Sequence, residues 1–513
     1  MNINEMDLQR IIEQVVQNIT QVANADKTEN KANNVETLKE MKIHSSRESA
    51  NKEYYSKLSA VNNGVFEDIN EAIEAADRAQ KTYVKNFNLQ DRERIIAAIR
   101  KTVLDNKETL AKMVFEETNL GRYEHKLAKL ELVVAKTPGT EDLKPEAFSG
   151  DNGLTIVEQG LFGVIGAVTP VTNPTETIIN NSLGMIAAGN AAVFNVHPSS
   201  KNVCAYLVEL LNKEIVKVGG PVNLINMVKE PTMETLEALT THPKIRMLVG
   251  TGGPGLVKTL LQSGKKAIGA GAGNPPVVVD ETADLEHAAK EIIKGASFDN
   301  NILCIAEKEV FVVNQVADEL IFNMLNNGAY MLSKKELEQV MGFALEENVH
   351  SVARGCSLDN KREYHVVKDW VGKDANLFLD KLGVRTDKKI DILIFEADFD
   401  HPFVQLEQMM PVLPIVRVKN VDEAIDMAIE AEHGNRHTAM MHSKNVDNLT
   451  KFARAVGTTI FVKNAASLAG VGAEGEGYTT MSIAGPTGEG LTSAKNFTRK
   501  RRCVLAEGGF RII

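Results

Sequence analysis

Cysteine is scarce. Cys204, Cys304, Cys356 and Cys503 are the only four in 513 residues, lie far apart and form no C-x-x-C pair. That spacing argues against a disulfide framework or a zinc ribbon, and leaves free thiols as the expectation. Long apolar runs are missing as well, so no bilayer-spanning helix and no membrane partner are expected. The N-terminus has neither the basic start nor the small-residue cleavage site of a secretory signal, which points to the cytoplasm. Positive charge is not in excess: 58 Lys and Arg against 68 Asp and Glu give a net charge of -10, which opposes general nucleic-acid binding. The one basic cluster, "RKRR" at 499–502, reads first as a solvated face near the C-terminus and second as a contact for one anionic ligand.

What is present is the composition of a soluble globular chain, 43% hydrophobic and 25% charged, and too long for a single core. In the first 23 residues, Leu8, Ile11, Ile12, Val15, Val16, Ile19 and Val22 recur at three- and four-residue spacing, predicting one amphipathic helix. Residues 24–55 are polar and read as a linker. A tethered helix of this kind must bury its apolar face on a partner, either another copy of itself or another protein, or fold back on the main body; a docking tag is the leading expectation.

Helical periodicity resumes at residue 66 and runs through two amphipathic stretches, to 86 and from 89 to 119. Strand-like runs follow, at 160–170, 191–198, 222–228 and 245–250, alternating with helical segments. A second alternating block begins near Asp284 and includes "EKEVFVV", "DILIFEA", "LPIVRV", "HTAMMHS" and "TTIFV". Regular alternation predicts α/β architecture with two doubly wound parallel sheets.

Three local patterns carry possible chemistry. "LVGTGGPG" holds a G-x-G-x-x-G at Gly250, Gly252 and Gly255 between a predicted strand and helix, the setting of a phosphate-binding turn, although no acidic residue stands about twenty positions on. An ordinary strand-to-helix turn is the alternative. "GAGAGNPPVVVD", 269–280, leads into a strand, so it is either a tight loop or backbone that must approach a ligand. "HGNRH", His433 to His437, has the spacing of a helical metal pair, but Gly434 and Asn435 weaken a helix and no metal is assigned. Cys304 stands between a polar loop and an apolar strand, either as a packed structural thiol or as a nucleophile.

Together "TPVTNPTETIINN", "NVHPSSK", "GTGGPG", "GAGAGNPPVVVD", "SFDNNILCIAEKEV", "LEQMMPVLPIVRV" and "GPTGEGLTSAKNFTRKRRC" resemble the aldehyde dehydrogenase superfamily, from about residue 50 to the end. The nearest branch is the CoA-acylating propionaldehyde and acetaldehyde dehydrogenases of bacterial microcompartments. The resemblance implies an aldehyde dehydrogenase-like fold: an NAD-binding domain at 56–274 with an oligomerisation arm at 147–162, a catalytic domain at 275–470, and a C-terminal return at 471–513. It makes Cys304 the nucleophile, with Asn173 the candidate oxyanion donor and Thr172 the residue that strict alignment puts in that place. NAD contacts fall on Thr169, Pro170, His197 and Pro198, on Thr251, Gly252 and Gly253, and on Gly271, Ala272 and Glu407. His197 stands where many relatives carry lysine, which bears on the choice of NAD over NADP.

Hydrolytic relatives place a general-base glutamate where this chain has Ala270. Without a carboxylate there, water is poorly activated, whereas a thiol of pKa near ~8.5 needs less help. The implied reaction is oxidation of a short aliphatic aldehyde with transfer of the acyl group from Cys304 to coenzyme A. The same resemblance makes residues 1–23 an encapsulation peptide for a shell protein or co-encapsulated enzyme, inside a microcompartment, and implies a homodimer or homotetramer. A hydrolytic enzyme with a relocated base and a catalytically silent shell-associated scaffold are the alternatives.

Overall fold

Alternation of short, Val- and Ile-rich runs with amphipathic helices produces two fully parallel sheets. The computed structural model of the chain describes residues 63–354 and 357–508, with 349–354 and 357–362 described by backbone alone. The expected N-terminal helix and linker, and Cys356, lie outside the described residues. From Val61 onward the chain forms one compact unit.

Four helices come first, α1 (Ile69–Asn86), α2 (Leu89–Asp105), α3 (Lys107–Thr118) and α4 (Tyr123–Lys136). The helical stretch from 89 to 119 is broken at Asn106, whose side-chain amide donates to Thr102 O at 2.8 Å and competes with the helical ladder. Strand β1 (Val65–Phe66) precedes them; β2 (Glu146–Gly150) and β3 (Gly153–Leu161) form a hairpin. Then β4 (Val164–Val168), β5 (Ala191–Asn195), β6 (Ile225–Val228), β7 (Ile245–Thr251) and β8 (Lys266–Ala270) complete a six-stranded sheet of order β1-β6-β5-β4-β7-β8. Strands β4 and β5 are buried at every residue, which is why β4 and most of β5 read as unbroken apolar runs. Helix α5 (Pro174–Ala187) follows β4 and α6 (Lys201–Lys217) follows β5; α7 (Met233–Thr241) and α8 (Pro254–Gln262) flank β7.

The second sheet is built from β9 (Pro276–Val279), β10 (Glu309–Val313) and β11 (Ala329–Met331), then β14 to β17 after an antiparallel hairpin, β12 (Leu345–Arg354) with β13 (Ser357–Val366). Those later strands are β14 (Ile392–Glu396), β15 (Val412–Val418), β16 (Thr438–His442) and β17 (Ile460–Lys463), in the order β11-β14-β15-β10-β9-β16-β17. Helix α9 (Leu285–Ser297) joins β9 to the loop before β10. The β12–β13 hairpin and β8 have no counterpart in the sequence reading: the hairpin alternates few apolar residues, and "KAIGA" is too short and small to stand out. A short pair, β18 (Ile483–Ala484) and β19 (Gly490–Leu491), precedes β20 (Thr498–Ala506), which returns to pair with β3. "RKRR" lies exposed on β20, with Lys500 bridging Glu146 at 3.2 Å.

Candidate active site

Two topological facts place the site. In the first sheet the strand order reverses around β4 and β7, so a crevice opens at their C-terminal ends, next to Thr169–Asn173 and Thr251–Gly253. In the second sheet β15, β10, β9 and β16 are parallel neighbours, so the residues just before them stand in a row at the N-terminal ends of these strands. That row contains Glu407, Cys304, Gly273 and His437. The crevice and the row meet in one cavity of about 1190 Å³, which Cys304 and Glu407 line.

Every residue expected to contact substrate or cofactor lines this cavity: Cys304, Thr172 and Asn173; Thr169, Pro170, His197 and Pro198; Thr251 to Gly253; Gly271, Ala272 and Glu407. Gly253 caps α8, whose first turn begins with Pro254, so the free N–H groups of that helix face the crevice end of β7. A Cβ on Gly253 would meet nothing within 4 Å, and Thr169 Oγ1 is buried with no partner among the described residues. Open backbone, unpaired donors and a sheet switch point fit a dinucleotide. Ala270 is buried in β8 and contributes no polar group.

Cys304 sits at the end of an unusual turn. Asp299, Asn300 and Asn301 are consecutive left-handed residues, with φ of 51°, 54° and 68°. Asp and Asn are the non-glycine types that tolerate this region, at about 1–2 kcal/mol each. Their buried side chains hold the turn: Asn300 Nδ2 donates to Gly372 O at 3.0 Å, and Asn301 Nδ2 to Ala296 O at 2.8 Å and Glu307 O at 2.9 Å. Lys308 Nζ donates back to Asn301 O at 2.8 Å and Oδ1 at 2.6 Å. Lys308 is fully buried and burial pushes its ammonium down to about 8.

The thiol of Cys304 is half-buried, and burial together with the Glu407 carboxylate pushes it up to about 12, against the pull of Lys308 and the Cys304 and Ile305 N–H groups. A thiolate stabilised at rest is therefore not what this geometry provides: burial outweighs the nearby donors. Glu407 is itself pushed up to about 7 by burial, opposed by Lys308 and by the Gly273 N–H it accepts. A Cβ on Gly273 would lie 2.8 Å from Cys304 O and 2.9 Å from His437 Cγ, so the glycine run is where backbone must approach backbone.

His437 was not singled out from sequence apart from the metal pattern. No helix carries His433 and His437: His433, Gly434 and Arg436 are left-handed, His433 is exposed on Gln405 O, and His437 is buried. Burial holds the His437 imidazole down to about 4, hence neutral, with Nδ1 on Thr438 Oγ1 at 2.9 Å and Nε2 unpartnered among the described residues.

Four buried charges behind the site also escaped sequence reading, since lysines in an amphipathic helix look solvated. Lys126 and Lys129 of α4 both place Nζ 2.7 Å from Asp299 Oδ2, and Lys129 lies 3.2 Å from Glu176 of α5. Lys129 also donates to Asn173 Oδ1 at 2.6 Å. Paired lysines hold the Asp299 carboxylate down to about 2, although burial alone would raise it.

Comparisons with known proteins give the family. The model of the aldehyde dehydrogenase family matches residues 41–501. The chain is similar to acetaldehyde dehydrogenase (acetylating) EutE of Salmonella typhimurium, at 46% identity over 451 residues, 88% of this chain and 94% of that protein. It is similar to the crystal structure of Rhodopseudomonas palustris propionaldehyde dehydrogenase with bound CoA and an acylated cysteine, at 53% identity and a TM-score of 0.82 over 87% of this chain and 99% of that one. A propionaldehyde dehydrogenase from the Clostridium phytofermentans fucose utilisation bacterial microcompartment matches at 47% identity and a TM-score of 0.83, over 88% of this chain and 100% of that one.

Proposed function

The chain belongs to the aldehyde dehydrogenase family, in its CoA-acylating branch, and from that premise we propose that it oxidises a short aliphatic aldehyde, propionaldehyde ahead of acetaldehyde, to the acyl-CoA. NAD, when bound in the crevice by the Gly252–Gly253 turn and Glu407, supplies the hydride acceptor. Cys304 gives up its thiol proton to solvent, and its Sγ attacks the aldehyde carbonyl to form a thiohemiacetal, whose oxygen carries the negative charge. The Cys304 N–H and Asn173 Nδ2 are the donors available to the resulting oxyanion. Loss of hydride leaves a thioester on Cys304, and the thiolate of coenzyme A displaces Cys304 to give acyl-CoA and the free enzyme.

The observation that carries this reading is Ala270, which puts no carboxylate at the position that the resemblance gives to the water-activating base, one residue before Gly271 in the cavity that Cys304 lines. One observation favours the hydrolytic alternative: Glu407, pushed up to about 7 near Cys304, has the basicity of a general base. NADH absorbance with propionaldehyde and NAD, with and without CoA, followed by mass analysis of the product, separates the two. Sustained turnover that requires CoA and yields propionyl-CoA is expected. Propionate without CoA would make Glu407 a water-activating base, and absence of NADH with any aldehyde would leave a silent scaffold.

The β2–β3–β20 sheet, with Phe148, Val504 and Leu505 exposed, supports a homodimer or homotetramer built through this arm. The apolar stripe of residues 1–23 supports docking inside a microcompartment, on a shell protein or a co-encapsulated enzyme.

A further inference from the structure

Asn173 occupies the N-cap position of α5, a place where asparagine ordinarily turns its side-chain oxygen onto the first free N–H groups of the helix. Here it makes no such bond. Its Oδ1 instead accepts from Lys129 Nζ at 2.6 Å, and its Nδ2 donates to Thr172 Oγ1 at 3.3 Å. An ammonium has no acceptor, so the amide atom facing Lys129 must be oxygen, and Nδ2 is thereby turned the other way. One N–H of that amide has no protein partner among the described residues, and Asn173 lines the cavity that holds Cys304.

Lys129 is fixed in turn. It is 2% exposed, with Nζ 2.7 Å from Asp299 Oδ2 and 3.2 Å from Glu176 Oε1. Asp299 opens the left-handed turn Asp299–Asn301, three residues before Cys304, and its other oxygen accepts the Arg122 N–H at 2.8 Å. A single buried ammonium therefore touches both the loop that carries the nucleophile and the side chain that would hold the oxyanion. Two lysines against two carboxylates leave the cluster neutral, which lets it persist away from water. Burial works to discharge Lys129, but Asp299 and Glu176 together hold its pKa above the ordinary lysine value.

We propose that Lys129 is a positioning residue for the acylation step: it pulls Asn173 Oδ1 off the helix cap, aims Nδ2 at the acyl oxygen and, through Asp299, sets the spacing between that donor and Cys304. The proposal rests on the reading of Asn173 as oxyanion donor. Lys126, which contacts Asp299 but not Asn173, anchors the cluster without aiming the amide.

The test is a double-mutant cycle of Lys129→Met and Asn173→Ala in the full chain, read as kcat, KM for NAD and CoA, and melting temperature. Asn173→Ala is expected to lower kcat by about 10²–10³, the loss typical of one oxyanion donor. Lys129→Met should lower kcat by a comparable factor with KM values little changed, and the double variant should be no slower than Asn173→Ala alone. Multiplying losses in the double variant would mean Lys129 acts by another route and would overturn the proposal. So would a Lys129→Met enzyme within about threefold of the parent while Asn173→Ala is crippled. If Asn173→Ala itself is harmless, the oxyanion reading fails first. Should Lys129→Met not fold, Asn173→Asp decides: it keeps the bond to Lys129 but has no N–H, so it should melt at or above the parent and lose as much kcat as Asn173→Ala. An Asn173→Asp protein that stays active, or that melts as low as Asn173→Ala, sinks the proposal.

Discussion

At the scale of single residues, Cys304 joins sequence context to chemistry, and its surroundings make it a reluctant thiolate. An apolar wall and the Glu407 carboxylate push its thiol up to about 12, so reactivity waits on what binds in the cavity. Far below its pKa the thiolate fraction grows tenfold per pH unit, since raising pH removes the proton that burial retains. Iodoacetamide labelling of Cys304 in cofactor-free protein, followed by peptide mass mapping to separate it from the exposed Cys503, should therefore keep rising from about pH 7 to about pH 10, by less than about tenfold per unit once Lys308, held at about 8, loses its charge. A plateau below about pH 9 would mean that Lys308 and the backbone donors already win over burial. Asn173 shows the same dependence on surroundings: it stands at the N-cap of α5, and a lysine 44 positions away in sequence takes its oxygen.

At the scale of elements, the turn Asp299–Asn301 is the costly piece. Three left-handed non-glycine residues in succession store strain of about 1–2 kcal/mol each. Hydrogen bonds and ion pairs to Gly372, Ala296, Glu307, Lys126 and Lys308 hold it in place. Replacing Asn300 by Ala removes its bonds and keeps the strain, whereas Gly removes both. Urea titration should find Asn300→Gly more stable than Asn300→Ala by about 1 kcal/mol, with both below the parent. Equal midpoints would show that the turn is not strained. The strand and helix positions around it were legible, because period-two and period-3.6 patterns are local. The turn itself was not, since "DNN" also reads as an ordinary polar loop.

At the scale of the whole molecule, the crevice of one sheet and strand starts of the other share one cavity. This arrangement brings the ends of β4 and β7 of the first sheet to the same cavity as the loops before β9, β10 and β15 of the second. Residues 1–23 are expected to serve placement and not turnover. Deleting them should leave the rate in solution unchanged and abolish co-sedimentation with purified shells. A truncated protein that aggregates or loses activity would show that the segment belongs to the folded body. Among the described residues no helix is long and apolar enough to cross a membrane.

The sequence by itself determined the alternating elements, the glycine turn at Gly252–Gly253, the cysteine placed before a strand and the alanine where a base would stand. Each of these follows from short-range pattern or from motif order, which one chain displays without its fold. Tertiary structure decided the rest: that Glu407, Cys304, Gly273 and His437 form a row, that two lysines of an amphipathic helix lie buried on Asp299, and that the thiol is held protonated. Those outcomes depend on which strands become neighbours and on how much water the packed layers exclude, because the cost of a charge is set by its surroundings and not by its place in the chain.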